Sequence, residues 1–97
     1  MIINLTQGKY ATFDYADYDL INQYKWYAVK AAHSWYAVTN IRVNGKRKKL
    51  YMQRFIMDAK DGEQIHHKDS DTLNNHRDNL ERCTQKQNLS YRKWGTK

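Results

Sequence analysis

Residues 65–80 read IHHKDSDTLNNHRDNL. His66 and His67 are followed by Asp69 and Asp71, then by Asn74, Asn75 and Asn79. A neutral imidazole, with a reference pKa of about 6.5, is well matched to taking a proton from water at pH 7. Imidazole nitrogen and amide oxygen are also ligands for a divalent cation, which can neutralise charge growing on a phosphate. These residue types therefore suit phosphodiester hydrolysis, where water is activated and a leaving oxygen is stabilised. Each residue taken singly has a plainer reading. A histidine pair is commonly a surface feature, Asn74 and Asn75 shape a turn, Asn79 caps a strand end, and Asn88 is an exposed helix residue. The joint spacing is what makes them a candidate site.

The elements that would position these groups follow from local pattern. Residues 63–67 (EQIHH) read as a short strand, 68–78 as a polar loop, and 79–83 (NLERC) as a second strand. Thr84-Gln85-Lys86-Gln87 fits a capping box, so Thr84 is expected to cap a helix, with Asn88 at the end of its first turn. Strand, loop, strand and capped helix bring His66 and His67 towards Asn88 from opposite ends of one motif. In a regular strand the two imidazoles point to opposite faces. They can serve one phosphate only if the strand ends or distorts there, which the turn-forming KDSD allows.

Upstream, YATF (10–13) reads as a strand. Asp14 is expected to cap a helix over 16–24, with Asp17 and Asp19 in its first turn. WYAVK (26–30) and WYAVTNIRV (35–43) are rich in β-formers, and Asn44-Gly45 is a two-residue hairpin signal. That turn sets Val43 opposite Lys46, Arg42 opposite Arg47, Ile41 opposite Lys48 and Asn40 opposite Lys49. Like charges facing each other are unfavourable by a few tenths to about 1 kcal/mol. Arg42 and Arg47, with Lys49 on their face, either await an anion such as a DNA phosphate or form a solvated edge that resists aggregation. Residues 51–57 (YMQRFIM) suit a short apolar helix or a strand end.

Composition bounds the alternatives. The chain has 97 residues, so it fits one domain that buries only about 60–65% of its unfolded surface. Its net charge is +7, which points to an anionic partner, most commonly nucleic acid. Residues 1–62 hold ten Lys/Arg against five Asp/Glu, whereas 63–97 hold seven against five. The positive surface thus lies mainly outside the candidate site. The single Cys83 excludes an internal disulfide and a multi-cysteine zinc site, and is expected as a small core residue. A zinc site from His66, His67, His76 and Cys83 lacks the usual finger spacing. His33 and His76 have no partner at useful spacing. MIINLTQGKY carries no long apolar run, so neither a signal peptide nor a membrane span is expected, and the cytoplasm is the natural compartment.

HHKD…NN…NL…TQKQN resembles the HNH endonuclease motif, with Asn79 twelve residues and Asn88 twenty-one residues after His67. LTQGKY, DYDLINQYKWY and KLYMQRFIM are similar to the N-terminal half of small phage and prophage HNH proteins, often called homing endonucleases. The resemblance implies an α+β fold in which a small N-terminal helix and an antiparallel β-ribbon platform (1–62) precede a ββα-metal motif (63–92) and a basic tail (93–97). It gives His66 the place of the first metal ligand, His67 that of the general base, Asn79 that of the motif's brace, and Asn88 that of the second ligand. Two protein ligands leave an open shell suited to Mg²⁺ or Mn²⁺, with Ni²⁺ or Co²⁺ usable in vitro. The chain departs from the family at Ser70, where glycine is common, and shows no appended DNA-binding module. Double-stranded DNA is the implied substrate, nicked by a monomer or cut on both strands by a homodimer. Arg42, Arg47, Lys49, Arg77, Arg92 and Lys93 are candidate DNA contacts. Arg77 could instead pair with Asp71 or Asp78, and Arg92, Lys93 and Trp94 could form a frayed tail. A DNA-binding regulator derived from such a nuclease, and an RNA-directed or toxin-type nuclease, are the competing readings.

Overall fold

The computed structural model describes residues 1–84. Strand β1 (Ile2–Asn4) runs antiparallel to β2 (Tyr10–Phe13), the YATF strand read from sequence. Alternation along β2 buries Ala11 and Phe13, the latter only 1% exposed. The expected helix over 16–24 is much shorter. Tyr15–Asp17 form a 3-10 turn and α1 spans only Tyr18–Ile21. At its C-terminus Ile21 O accepts both the Tyr24 N–H (3.3 Å) and the Trp26 indole N–H (2.8 Å), so the end carbonyl is satisfied by a tight turn and a side chain instead of a further helical turn. Asp14 makes no side-chain cap.

Strands β3 (Tyr27–Ala31), β4 (Ser34–Val43) and β5 (Lys46–Tyr51) form an antiparallel sheet. The β4–β5 register places Val43, Arg42, Ile41 and Asn40 opposite Lys46, Arg47, Lys48 and Lys49, the pairing fixed by the turn. Asn44 and Gly45 both take left-handed backbone, at φ 53° and 78°, as a two-residue primed turn requires. Residues 51–57 resolve as helix α2 (Met52–Ile56), which buries Met52, Gln53 and Ile56.

Strands β6 (Glu63–His67) and β8 (Leu80–Thr84) pair antiparallel. Between them Asn74 and Asn75, expected as turn formers, instead make a short strand β7 that pairs parallel with β2 through Thr12 and Phe13. The extended backbone here satisfies its polar groups against β2, with Thr12 N–H donating to Leu73 O (2.9 Å). The result is a mixed, strand-rich fold with few helical turns. One core serves both halves of the chain: Phe13, Ile21, Trp26, Met52 and Ile56 pack with Leu80 of β8.

Candidate functional site

His67 closes β6 opposite Leu80, and the chain turns immediately afterwards. Lys68 N–H donates to Asn79 O (2.8 Å), and Ser70 N–H returns to His67 O (3.0 Å). Ser70 takes φ 66°. An L-residue in the left-handed region costs roughly 1–2 kcal/mol, a cost that glycine would avoid.

Asn79 and Asp69 hold the loop in shape. Asn79 Oδ1 accepts from Asp69 N–H (3.0 Å), while its amide nitrogen donates to Asp69 Oδ1 (2.8 Å) and Asn74 O (2.9 Å). Asp69 also accepts from Asn74 Nδ2 (2.9 Å) and Asp71 N–H (2.8 Å). The Asn74 amide, then the Asp71 N–H, hold the Asp69 carboxyl below its ordinary range. Asn79 thus ties together the backbone on the two sides of the loop that follows the histidines. Thr72 secures the loop to the sheet by donating its hydroxyl to Trp35 O.

His67 is only 6% exposed, and its Nε2 lies 2.8 Å from Oδ1 of Asn75, itself fully buried. Burial lowers the imidazole pKa, with the Asn75 hydrogen bond and the Asp69 charge pulling partly the other way. The ring therefore stays neutral near pH 7, the form that accepts a proton. His66 is half-buried, opposite Glu81 across the β6–β8 ladder. Although strand alternation separates the two histidines, both line one open cavity of about 350 Å³. Ser34 and Tyr36 of β4, Gln64 of β6, and Ser70 and Thr72 of the loop complete its wall.

Other sequence expectations fare differently. Arg77 pairs with neither Asp71 nor Asp78, and its fork is not poised over the loop. Its Nε and Nη2 grip the Asp17 carboxylate (3.0 and 2.7 Å), and its backbone N–H donates to Asp14 Oδ2 (3.0 Å). Asp17 and Asp14 are thereby turned away from capping α1. His76 is a structural residue of the loop, its Nδ1 lying 2.7 Å from Asn74 Oδ1. Cys83 is buried on β8 opposite Gln64, and burial pushes its thiol pKa up. His33 is exposed in the turn between β3 and β4. Arg42, Arg47 and Lys49 are exposed on one face of the β4–β5 ribbon. Along β4 that face leads to Tyr36 in the cavity wall, six residues or roughly 20 Å from Arg42. The helix expected after Thr84, with Asn88, Arg92, Lys93 and Trp94, lies outside the described residues.

Sequence reasoning missed Asn75 as a partner of His67. An Asn-Asn dipeptide reads locally as a turn, and only its pairing with β2 drives the second amide inwards.

No group of three His, Cys, Asp or Glu is assembled for a metal among the described residues. The zinc set of His66, His67, His76 and Cys83 accordingly does not come together. Nor is any described helix long and apolar enough to cross a membrane. No curated protein and no solved structure matches the chain. Residues 58–90, however, match a family model described as HNH endonuclease. That match covers both histidines, the braced loop, the β6–β8 hairpin and Asn88. Over that segment, 33 of the 97 residues, the protein is therefore similar to the HNH endonuclease family.

Proposed function

We propose that the protein is a metal-dependent endonuclease that hydrolyses phosphodiester bonds in double-stranded DNA. The observation that carries this reading is that His66 and His67, adjacent on one strand, line the same cavity. His67 is the general base: its neutral imidazole takes a proton from the attacking water. Asn79 keeps the loop from shifting as that proton moves, through its bonds to Asp69 and Asn74.

The donor set fits a divalent cation with an open shell. His66 is half-buried at the cavity and supplies one nitrogen, while Asn88, in the segment beyond the described residues, would supply an amide oxygen. The loop carboxylates are otherwise engaged, Asp69 by Asn74 and Asn79, and Asp71 by the Leu73 N–H (3.1 Å). When bound, such a cation supplies electrostatic stabilisation of the phosphate and the leaving oxygen. Mg²⁺ or Mn²⁺ match this oxygen-rich arrangement best.

Arg42, Arg47 and Lys49 form a basic platform that offers the phosphate backbone a path, separated along β4 from Tyr36 and the cavity by the buried Val38. Arg92 and Lys93 extend that path beyond the motif. Arg77 acts as a strut through Asp17. A helix after Thr84, as the capping-box sequence suggests, would complete a ββα-metal unit. One motif per chain gives one strand cut per engagement, so a monomer nicks and a homodimer cuts both strands.

Supercoiled plasmid incubated with Mg²⁺ or Mn²⁺ is expected to relax, and His67→Ala should slow this roughly 10²–10⁴-fold, the range for a general base. Retention of DNA in band shifts without metal-dependent relaxation would instead establish the DNA-binding regulator. Cleavage of a matched RNA duplex in preference to DNA would move the substrate to RNA.

A further inference from the structure

Asn75 is an unusual residue to find with no solvent exposure at all. Its Oδ1 lies 2.8 Å from His67 Nε2, while its Nδ2 is buried with no hydrogen-bond partner among the described residues. A buried amide donor left unsatisfied is destabilising, and an apolar residue of similar size would avoid that cost. The side chain thus directs one good hydrogen bond at an imidazole and leaves its other polar group unmet. A purely structural asparagine would be expected to satisfy both ends, as Asn79 does with Asp69 and Asn74.

The backbone explains how it is held. β7 is only two residues long, and pairing of Asn75 with the fully packed Phe13 on β2 fixes where its side chain emerges. Thr12 Oγ1 donates to the Asn74 amide oxygen (3.3 Å), and Asn74 in turn reaches Asp69, so the neighbouring position is pinned as well. The acceptor facing His67 is therefore rigid, a property needed to orient a ring.

We propose that Asn75 is a positioning residue that fixes His67 as the Nε2–H tautomer and leaves Nδ1 as the nitrogen that accepts the proton. This deepens the nuclease reading and rests on it for its catalytic consequence. A carbonyl oxygen accepts and cannot donate, so a neutral ring facing it carries its proton on Nε2. In the other tautomer two lone pairs would face each other in a buried setting. If the Asn75 amide were turned round, its NH₂ would face Nε2 and the basic nitrogen would be the one already engaged, unable to meet water. Catalysis from this geometry needs the orientation with the acceptor towards His67.

Two measurements on the full chain test this. Long-range ¹H–¹⁵N correlation spectra of the imidazoles report the tautomer directly, without requiring turnover. Wild-type His67 is expected in the Nε2–H form. Asn75→Leu removes both the acceptor and the unmet donor at similar volume. It exchanges the unmet Asn75 donor for an unmet His67 Nε2–H, so it is expected to melt close to wild type while losing the tautomer preference, with kcat for plasmid nicking falling roughly 10–100-fold at little changed KM. An Nδ1–H form in the wild type overturns the proposal. So does a tautomer that survives Asn75→Leu, or a kcat that does not respond to it. An Asn75-dependent tautomer in a wild-type protein that never cleaves any nucleic acid would sink the nuclease reading and the catalytic consequence together, leaving the hydrogen bond as structure alone.

Discussion

Arg77 shows how far a side chain's role can lie from its sequence neighbourhood. Its guanidinium, about half exposed, crosses 60 residues to bind the Asp17 carboxylate, which is 6% exposed. Asp17 comes first among the causes raising the Arg77 pKa. Breaking such a pair strands a carboxylate in the interior, and that penalty exceeds what the intact pair contributes. Arg77→Met is expected to lower stability by about 2 kcal/mol in urea unfolding, below the fully buried range because the arginine is partly solvated. Asp17→Asn combined with Arg77→Met should recover most of the loss. Asp69 is a second residue with a readable consequence. Its carboxyl is held below its ordinary range, so its hydrogen bonds support the loop fully above the unfolded-state pKa of about 3.9 and fail as pH falls through the lower folded value. Amide exchange at Asp71 and Leu73 should accelerate in that acid window, and Asp69→Asn should remove the pH dependence.

Among the elements, the β4–β5 hairpin is the clearest case of local coding. Asn44-Gly45 needs only its own dihedral preferences to set the register, so Arg42 opposite Arg47 could be read before any tertiary contact was known. Those arginines do nothing for the ribbon itself. Arg42→Ser with Arg47→Ser is expected to leave the melting temperature unchanged or raise stability by a few tenths of a kcal/mol. The same pair of changes should reduce the slope of log affinity for duplex DNA against log salt by roughly 2, one phosphate contact per arginine. An unaltered salt slope would show the ribbon to be a solvated edge. By contrast, the helix expected over 16–24 had the right apolar spacing, yet α1 stops at Ile21, where Trp26 folds back to donate to Ile21 O, and at its start Asp14 and Asp17 are engaged by Arg77 rather than capping it.

For the molecule as a whole, the platform and the motif share one core and one parallel strand contact. Leu80, opposite His67 and 4% exposed, packs in the same cluster as Phe13, Ile21 and Trp26. Leu80→Ala is expected to cost about 2–4 kcal/mol. Tryptophan fluorescence and far-UV circular dichroism should still report one coincident transition, because removing motif packing loosens the platform too. Separate transitions would show that the two halves fold independently. The shared core also bears on the candidate site. The walls of the His66–His67 cavity come from β4, β6 and the loop, three parts of the chain that only a common core can keep in register.

Sequence alone determined what depends on a few consecutive residues. The strand limits of Glu63–His67 and the hairpin turn reflect dihedral preference and local alternation, and the spacing of His66, His67, Asn79 and Asn88 is legible in the residues themselves. Tertiary structure decided what depends on burial against distant chain. It turned Asn74-Asn75 from a turn into a strand beside β2, set Asn75 against His67, and sent Arg77 to Asp17. It also brought two alternating histidines to one cavity by ending β6 at His67. The physical reason is that a dihedral preference is fixed by immediate neighbours, whereas the partner of a buried polar group is whichever complementary group the packed core brings within reach.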